Sequence, residues 1–187
     1  MINEQEIIAA CQNGQLERFG ELYDAYIKKI YEFIYFKTTH KETAEDLTSQ
    51  TFFKALEKIN LFSFEKGSFA AWLYQIARNT VIDHYRTKKD ASDIEDIWDL
   101  DDKSDIARDL DAKDKLEKVE KYLATLKQEQ REIIIMRVWQ EMSYQEIADA
   151  LGKSESSCKM MFSRAITTLR NEMPISLLIY FMLLKLN

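Results

Sequence analysis

Apolar residues recur three and four positions apart through most of the chain, which is the spacing of one face of an α-helix. Before residue 90 this pattern predicts four helices: residues 4–12, a long helix from residue 19 that stops at TTHKET, residues 41–58 and residues 69–86. The dipeptide NG ends the first helix, and NLFSFEKGS is predicted as a loop before the fourth.

The second half of the chain continues the helical pattern. LEKVEKYLATLKQEQREIIIMRVWQ predicts two helices with a break near residues 125–128. Ser143 followed by Glu146 is a capping-box pattern, so a further helix is expected to start at Tyr144. Gly152 would end it and Ser154 would cap the last one. With four Gly and one Pro in 187 residues, the fold class is predicted to be all-α.

The last helix has two distinct faces. Its core stripe is predicted to contain Cys158, Phe162, Ala165 and Leu169. The opposite side collects Ser156, Met160, Ser163 and Thr167, flanked by Lys159, Arg164 and Arg170. A polar and basic face on a helix that packs against a short apolar partner is typical of a helix-turn-helix. A helical hairpin with a solvated basic face would give the same pattern.

The acidic residues are concentrated in one segment. Residues 90–111 contain ten acidic residues against Lys103 and Arg108, a charge of −8, so the rest of the chain carries +2 of the total of −6. Residues 90–112 are therefore predicted to be a flexible acidic linker between two small helical domains. A nearly neutral body is compatible with DNA binding.

Few residues point to catalysis. The two cysteines are far apart in sequence, His40 and His84 are isolated, and no glycine-rich phosphate loop is present. We therefore expect no enzyme activity, no cofactor, no metal and no small-molecule substrate. The start MINEQE is unlike a signal peptide, and no apolar run approaches the length of a membrane span, about 20 residues. A reducing cytoplasm fits these features.

Three segments in order carry a family resemblance: ETAEDLTSQTFFKALEKI, SFAAWLYQIARNTVIDHYRTKK and LATLKQEQREIIIMRVWQEMSYQEIADALGKSESSCKMMFSRAITTLR. Together they resemble the extracytoplasmic-function (ECF) class of bacterial RNA polymerase sigma factors, over roughly residues 10–90 and 113–172. The resemblance implies an alternative sigma factor, a non-catalytic subunit that directs transcription initiation. Its implied partners are the clamp and flap of RNA polymerase core, promoter DNA and an anti-sigma factor.

The resemblance also implies a division of the chain. Residues 1–89 would bind the polymerase clamp and melt the −10 element, and residues 113–173 would read the −35 element. Between them lies the linker, 90–112, and after them an apolar tail, 174–187. In AEDLTSQTFFKAL, which matches the clamp-binding helix, the implied core-polymerase contacts are Asp46, Gln50, Phe53 and Lys54. The alternative is that Phe52 and Phe53 both belong to the core.

The loop and the helix after it match the −10 site, where one base is extruded from the DNA stack. The implied contacts there are Phe62, Phe64, Lys66, Ser68, Arg78, Asn79, Asp83, Arg86, Lys88 and Lys89. Trp72 fits the core better than the DNA surface, while Tyr74 and Tyr85 are expected to be available for stacking on bases.

The recognition helix matches the −35 site. The implied contacts are Ser156, Lys159, Met160, Ser163, Arg164 and Arg170. Met160 and Met161 replace polar or basic residues of the family pattern, and Cys158 replaces its buried Val. For the tail, three roles stay open: a helix packed on one of the domains, a contact with an inhibitor or the polymerase, and association with a membrane surface.

Overall fold

The computed structural model describes residues 2–88, 118–119, 121–123 and 125–183. Within those residues every regular element is helical and none is a strand, which confirms the all-α prediction. The chain divides into two compact units, residues 1–99 and 100–187. The predicted linker, residues 90–112, lies outside the described residues.

The first unit contains four α-helices. They are α1 (Glu4–Gln12), α2 (Phe19–Thr38), α3 (Lys41–Glu57) and α4 (Phe69–Lys88). Short 3-10 turns lie at Leu16–Arg18, Ile59–Leu61 and Phe64–Lys66. The last two turns occupy the stretch that the sequence predicts as a loop.

The core of this unit lies where α2, α3 and α4 pack against one another. Its fully buried side chains include Leu22, Ile30, Phe33, Ile34, Leu47, Phe69, Leu73 and Tyr74. Helix α1 adds Ile7, Ile8 and Cys11, and packs on α2 and on the turn at Ile59–Leu61. Burying each large apolar side chain contributes about 1.5–3 kcal/mol, so the helical stripes of the sequence account for this core.

Local signals set the ends of these helices. Asn3 accepts a hydrogen bond from the Glu6 amide at 3.3 Å and caps α1. Thr39 takes a left-handed conformation, with φ of 51°, and ends α2. His40 then caps α3, its Nδ1 accepting from the Thr43 amide at 3.3 Å. The predicted break at TTHKET is confirmed.

The second unit contains α5 (Gln128–Ile134), which continues into a π-helical segment (Ile135–Trp139). Three helices follow: α6 (Tyr144–Leu151), α7 (Glu155–Glu172) and α8 (Ile175–Leu183). Residues 118–119 and 121–123 are also helical, so the predicted break near residues 125–128 is confirmed. The buried Arg131 stabilises this break, its Nε donating to the Leu123 carbonyl at 2.9 Å.

The apolar tail is part of the second unit. Leu177 and Phe181 of α8 are buried in one cluster with Ala165 and Leu169 of α7. The Phe181 ring also meets Trp139 edge to face, with centroids 4.9 Å apart. Of the three roles considered for the tail, packing on the second domain is the one observed. In the described part of the chain, no helix has the length and apolarity of a membrane span.

Candidate polymerase and nucleic-acid interface

The outward face of α3 carries the residues expected to bind the polymerase. Asp46, Gln50 and Phe53 are exposed, and Phe53 most clearly, with 62% of its surface accessible. Lys54 is half-buried, and its Nζ donates to the Thr80 hydroxyl of α4 at 3.2 Å. Asp46, Gln50 and Phe53 therefore lie on one solvent-exposed face of α3, while Lys54 connects α3 to α4.

The two adjacent phenylalanines of α3 have opposite environments. Phe52 is 4% exposed, and its ring meets Tyr23 edge to face at a centroid distance of 4.8 Å. Phe53 points the other way, because successive helical residues lie about 100° apart. The alternative in which both belong to the core is wrong.

The turn before α4 forms an aromatic cluster. Phe62, only 7% exposed, lies at its centre and contacts Phe64, Phe69 and Trp72, with ring centroids 4.9, 5.6 and 5.3 Å away. Phe64 is 39% exposed at the edge of the cluster. Phe62 is thus the buried centre of the cluster, and Phe64 is an exposed ring packed against it. Trp72 packs on Phe62 and Phe69 but is only half-buried, so it lies partly in the core.

Other residues of the −10 set lie in the turn before α4 and along α4 itself. Lys66, Asn79, Asp83 and Arg86 are exposed, and Arg78 is half-buried. Ser68 is a capping residue of α4: its hydroxyl accepts from the Ala71 amide at 3.2 Å. Lys88 is the last residue of α4, and Lys89 lies outside the described residues.

The two tyrosines expected to stack on bases differ. Tyr74 is 1% exposed and packs edge to face on Phe33, at a centroid distance of 5.1 Å, so the expectation for Tyr74 is wrong. Burial also raises the pKa of its phenol well above the usual value. Tyr85 is half-buried beside His84, and burial raises its pKa as well. The stacking role of Tyr85 stays a prediction.

Helices α6 and α7 form a helix-turn-helix. The predicted capping box is present: Ser143 N donates to Glu146 Oε2 at 2.8 Å, and Glu146 N donates to Ser143 Oγ at 3.2 Å. Gly152 ends α6 with φ of 65°, a left-handed conformation that suits glycine. Ser154 then accepts from the Ser157 amide at 3.2 Å and caps α7. Each local signal read in the sequence is confirmed.

The two faces of α7 follow the predicted pattern. Cys158, Ala165 and Leu169 are buried, and Phe162 is partly buried. Burial raises the pKa of the Cys158 thiol, which leaves it a neutral apolar group. The six residues of the −35 set are all exposed: Ser156, Lys159, Met160, Ser163, Arg164 and Arg170.

Three residues beside this face were not predicted. Glu155, in the first turn of α7, forms an ion pair with Lys159: Lys159 Nζ lies 2.6 Å from Glu155 Oε1. Lys159 also lies 5.8 Å from the centroid of the Tyr144 ring, which has Arg137 at 4.9 Å. The i,i+4 spacing of Glu155 and Lys159 was a signal for the ion pair. The Arg137 contact depends on the π-helical segment, which no sequence pattern indicated.

Comparison with known proteins identifies both units. Residues 22–91 match the family model Sigma-70 region 2, and residues 116–169 match Sigma-70, region 4. The ECF RNA polymerase sigma factor BldN of Streptomyces coelicolor is 33% identical over 180 residues, which are 90% of this chain and 65% of BldN. The RNA polymerase sigma factor YlaC of Bacillus subtilis is 34% identical over 82% of this chain and 90% of YlaC.

Solved structures agree on the fold. CnrH, in complex with the cytosolic domain of CnrY, has a TM-score of 0.70 at 23% identity, covering 90% of this chain and 95% of CnrH. The sigma factor RpoE of Bartonella quintana, in complex with the anti-sigma factor NepR, has a TM-score of 0.65 at 25% identity. The match covers 82% of this chain and 94% of RpoE. From its two matched regions and these relatives, the chain belongs to the ECF class of the sigma-70 family of RNA polymerase sigma factors.

Proposed function

We propose that the protein is an alternative sigma factor that binds RNA polymerase core and directs transcription initiation at particular promoters. The observation that carries the proposal is the presence of sigma-70 regions 2 and 4 in one chain, each with an exposed set of matching side chains. It acts as a non-catalytic specificity subunit. Promoters and polymerase share the bacterial cytoplasm, and the proposal assigns the protein to that compartment.

The first domain, residues 1–89, is proposed to grip the polymerase clamp through α3. Phe53 supplies an apolar anchor, and Asp46 and Gln50 supply polar contacts around it. An exposed aromatic residue surrounded by polar groups is the usual composition of a strong interface contact. In this chain Thr51 stands where the family usually has Glu, and Thr51 is buried, so position 51 adds no group to the proposed clamp contact.

The same domain is proposed to melt the −10 element. Extruding a base costs a few kcal/mol, which stacking and hydrogen bonds must offset. Phe64 offers a ring edge, Asn79 and Asp83 offer hydrogen-bonding groups one helical turn apart, and Arg86 and Lys66 offer charge for the backbone.

The second domain, residues 113–173, is proposed to place α7 in the major groove of the −35 element. Lys159, Arg164 and Arg170 contact phosphates, while Met160 and Ser163 meet base edges or thymine methyl groups. Methionine has no hydrogen-bond code, so Met160 selects bases by shape and apolar contact.

An anti-sigma factor is the proposed regulator. RpoE, which has a similar fold, was solved with the anti-sigma factor NepR. A partner that binds the free protein more tightly than the polymerase-bound form would shift the population away from polymerase without any chemical step.

The test is transcription by purified bacterial core polymerase, with and without the protein, on a pool of genomic fragments. We expect discrete new start sites that depend on the protein, and their upstream sequences give both promoter elements. Binding to duplex DNA without binding to core would instead identify a stand-alone helix-turn-helix regulator. Binding to neither core nor promoter DNA would exclude the sigma function.

A further inference from the structure

Helix α1 lies before residues 22–91, the part of the chain that matches sigma-70 region 2. The proposed function gives it no role beyond the core contacts of Ile7, Ile8 and Cys11. Yet its last residue, Gln12, is hydrogen-bonded to the turn at residues 59–62, which precedes the proposed −10 contact Phe64. The Gln12 side-chain nitrogen Nε2 donates to the carbonyls of Ile59 and Phe62, at 2.9 Å and 2.9 Å.

These two carbonyls are the two ends of one turn. The Phe62 amide donates to the Ile59 carbonyl at 3.1 Å, which closes the turn. Gln12 therefore fixes both ends from outside, across 47 and 50 residues of sequence. Because an amide NH₂ has two donor hydrogens, one side chain can satisfy both acceptors.

Helix α1 packs on this turn at Ile59–Leu61, but the contact is incomplete towards Phe64. An open cleft of about 310 Å³ lies at the surface there, lined by Gln5 and Ala9 on the helix side and by Phe62 and Phe64 on the other. Atoms that line an open cleft face solvent and not protein on that side. The Gln12 hydrogen bonds thus add a directional restraint on both ends of the turn to the packing of α1 against it.

Gln12 is connected to Phe64, the ring proposed to contact DNA, through a single residue, Phe62. Phe62 is held through its carbonyl by Gln12 and through its ring by Phe69 and Trp72. Its ring in turn supports Phe64, 4.9 Å away between centroids. A displaced Phe62 would leave Phe64 without its supporting surface.

We propose that Gln12 is a positioning residue for −10 recognition: it fixes the turn at residues 59–64 so that Phe64 is in place before a base is extruded. The proposal rests on the proposed sigma function. Preorganisation of this kind removes the ordering cost that the turn would otherwise impose on melting.

The experiment compares full-length Gln12→Leu and Gln12→Glu with the matched control Gln5→Leu. Gln5 lies on the same helix and lines the same cleft, and in the described part of the chain its side chain makes no hydrogen bond to the turn. Each protein is assembled with core polymerase on a promoter carrying 2-aminopurine in the non-template strand of the −10 element. Fluorescence then reports base extrusion.

We expect both Gln12 variants to lower the extrusion equilibrium about tenfold, consistent with the loss of two hydrogen bonds. Their affinities for core and for a −35 duplex should equal those of the wild type, and Gln5→Leu should match the wild type throughout. Wild-type extrusion by either Gln12 variant would overturn the proposal, and so would an equal loss of core affinity, which indicates general damage to the fold. A wild-type protein that gives no fluorescence change would overturn the sigma function instead, before any variant is compared.

Discussion

At the scale of single residues, the opposite environments of Phe52 and Phe53 separate stability from function. Phe53→Ala removes an exposed ring from α3, so we expect little change in unfolding free energy, within about 0.5 kcal/mol. Affinity for core polymerase should fall by about 1–2 kcal/mol or more, as for an interface anchor. Leu61→Ala is the control, since Leu61 is an exposed apolar residue outside α3. Equal losses of core affinity in both variants would contradict an anchor role for Phe53.

Lys159 and Met160 are neighbours on α7 with different expected roles. Lys159→Ala should weaken binding to all DNA sequences and reduce the salt slope by about 1, because one phosphate contact is lost. Met160→Ala should leave the salt slope unchanged and alter the preference among −35 sequences, because Met160, 49% exposed, carries no charge. The measurement is binding to a panel of −35 duplexes at several salt concentrations. Identical effects of both substitutions would refute this division.

Glu155 restrains the same lysine. Its carboxylate lies 2.6 Å from Lys159 Nζ and would approach the phosphates of bound DNA. Glu155→Gln removes that negative charge and frees Lys159, so we expect affinity to rise for all sequences, by about 1 kcal/mol at low salt. In a Lys159→Ala background the gain should be smaller, which a double-mutant cycle measures. An unchanged or lower affinity of Glu155→Gln would show that the carboxylate contributes to binding rather than opposing it.

The sequence predicts which side of α7 faces outward because the helical period fixes directions relative to a few apolar residues. It did not predict the burial of Tyr74. A tyrosine suits both a core and a surface, and only its packing against Phe33 decides between them. The different burial of Phe62 and Phe64 was not predictable either. Both lie in a turn, where no helical period relates sequence position to burial.

At the scale of helices, boundaries followed from local chemistry and were predictable. Ser143, Gly152 and Ser154 act within three or four residues of their own positions, so their signals are readable directly. The π-helical segment at Ile135–Trp139 was not predictable. It bonds the Gln140 amide to the Ile135 carbonyl at 3.2 Å, and Glu141, two residues after its end, has φ of 57°. This wider turn reflects tertiary packing rather than any local pattern.

Helix α8 shows how packing decides among roles that an apolar sequence leaves open. Phe181 is fully buried against Trp139, so Phe181→Ala should destabilise the protein by about 3–5 kcal/mol. Ile179→Ala, on the exposed side of the same helix, should change stability by less than about 0.5 kcal/mol. Denaturant unfolding of both variants measures the difference. A Phe181→Ala protein as stable as the wild type, or no loss of stability on truncation after Glu172, would contradict a structural role for α8.

At the scale of the whole molecule, each domain is proposed to make a separate contact with the promoter. The acidic segment between them is visible only in the charge distribution, since residues 90–111 carry −8 and the remaining residues carry +2. The linker at residues 90–112 stays a prediction from composition, because it rests on charge excess and a missing apolar period within the segment itself. The side chains that touch polymerase or DNA depend instead on partners outside the chain.

Promoter-directed transcription should depend strongly on the covalent link between the two domains. With residues 1–99 and 100–187 supplied as separate chains, each should fold, since each is a compact unit. Promoter-directed transcription should nevertheless fall by about 10²–10⁴-fold at equal concentrations, because the second contact is no longer intramolecular. A continuous chain in which Gly/Ser repeats of equal length replace residues 90–112 should recover most of that loss. Any transcription still missing with the Gly/Ser linker then measures the contribution of the acidic charge. Full transcription activity of the separate chains would contradict coupling through the linker.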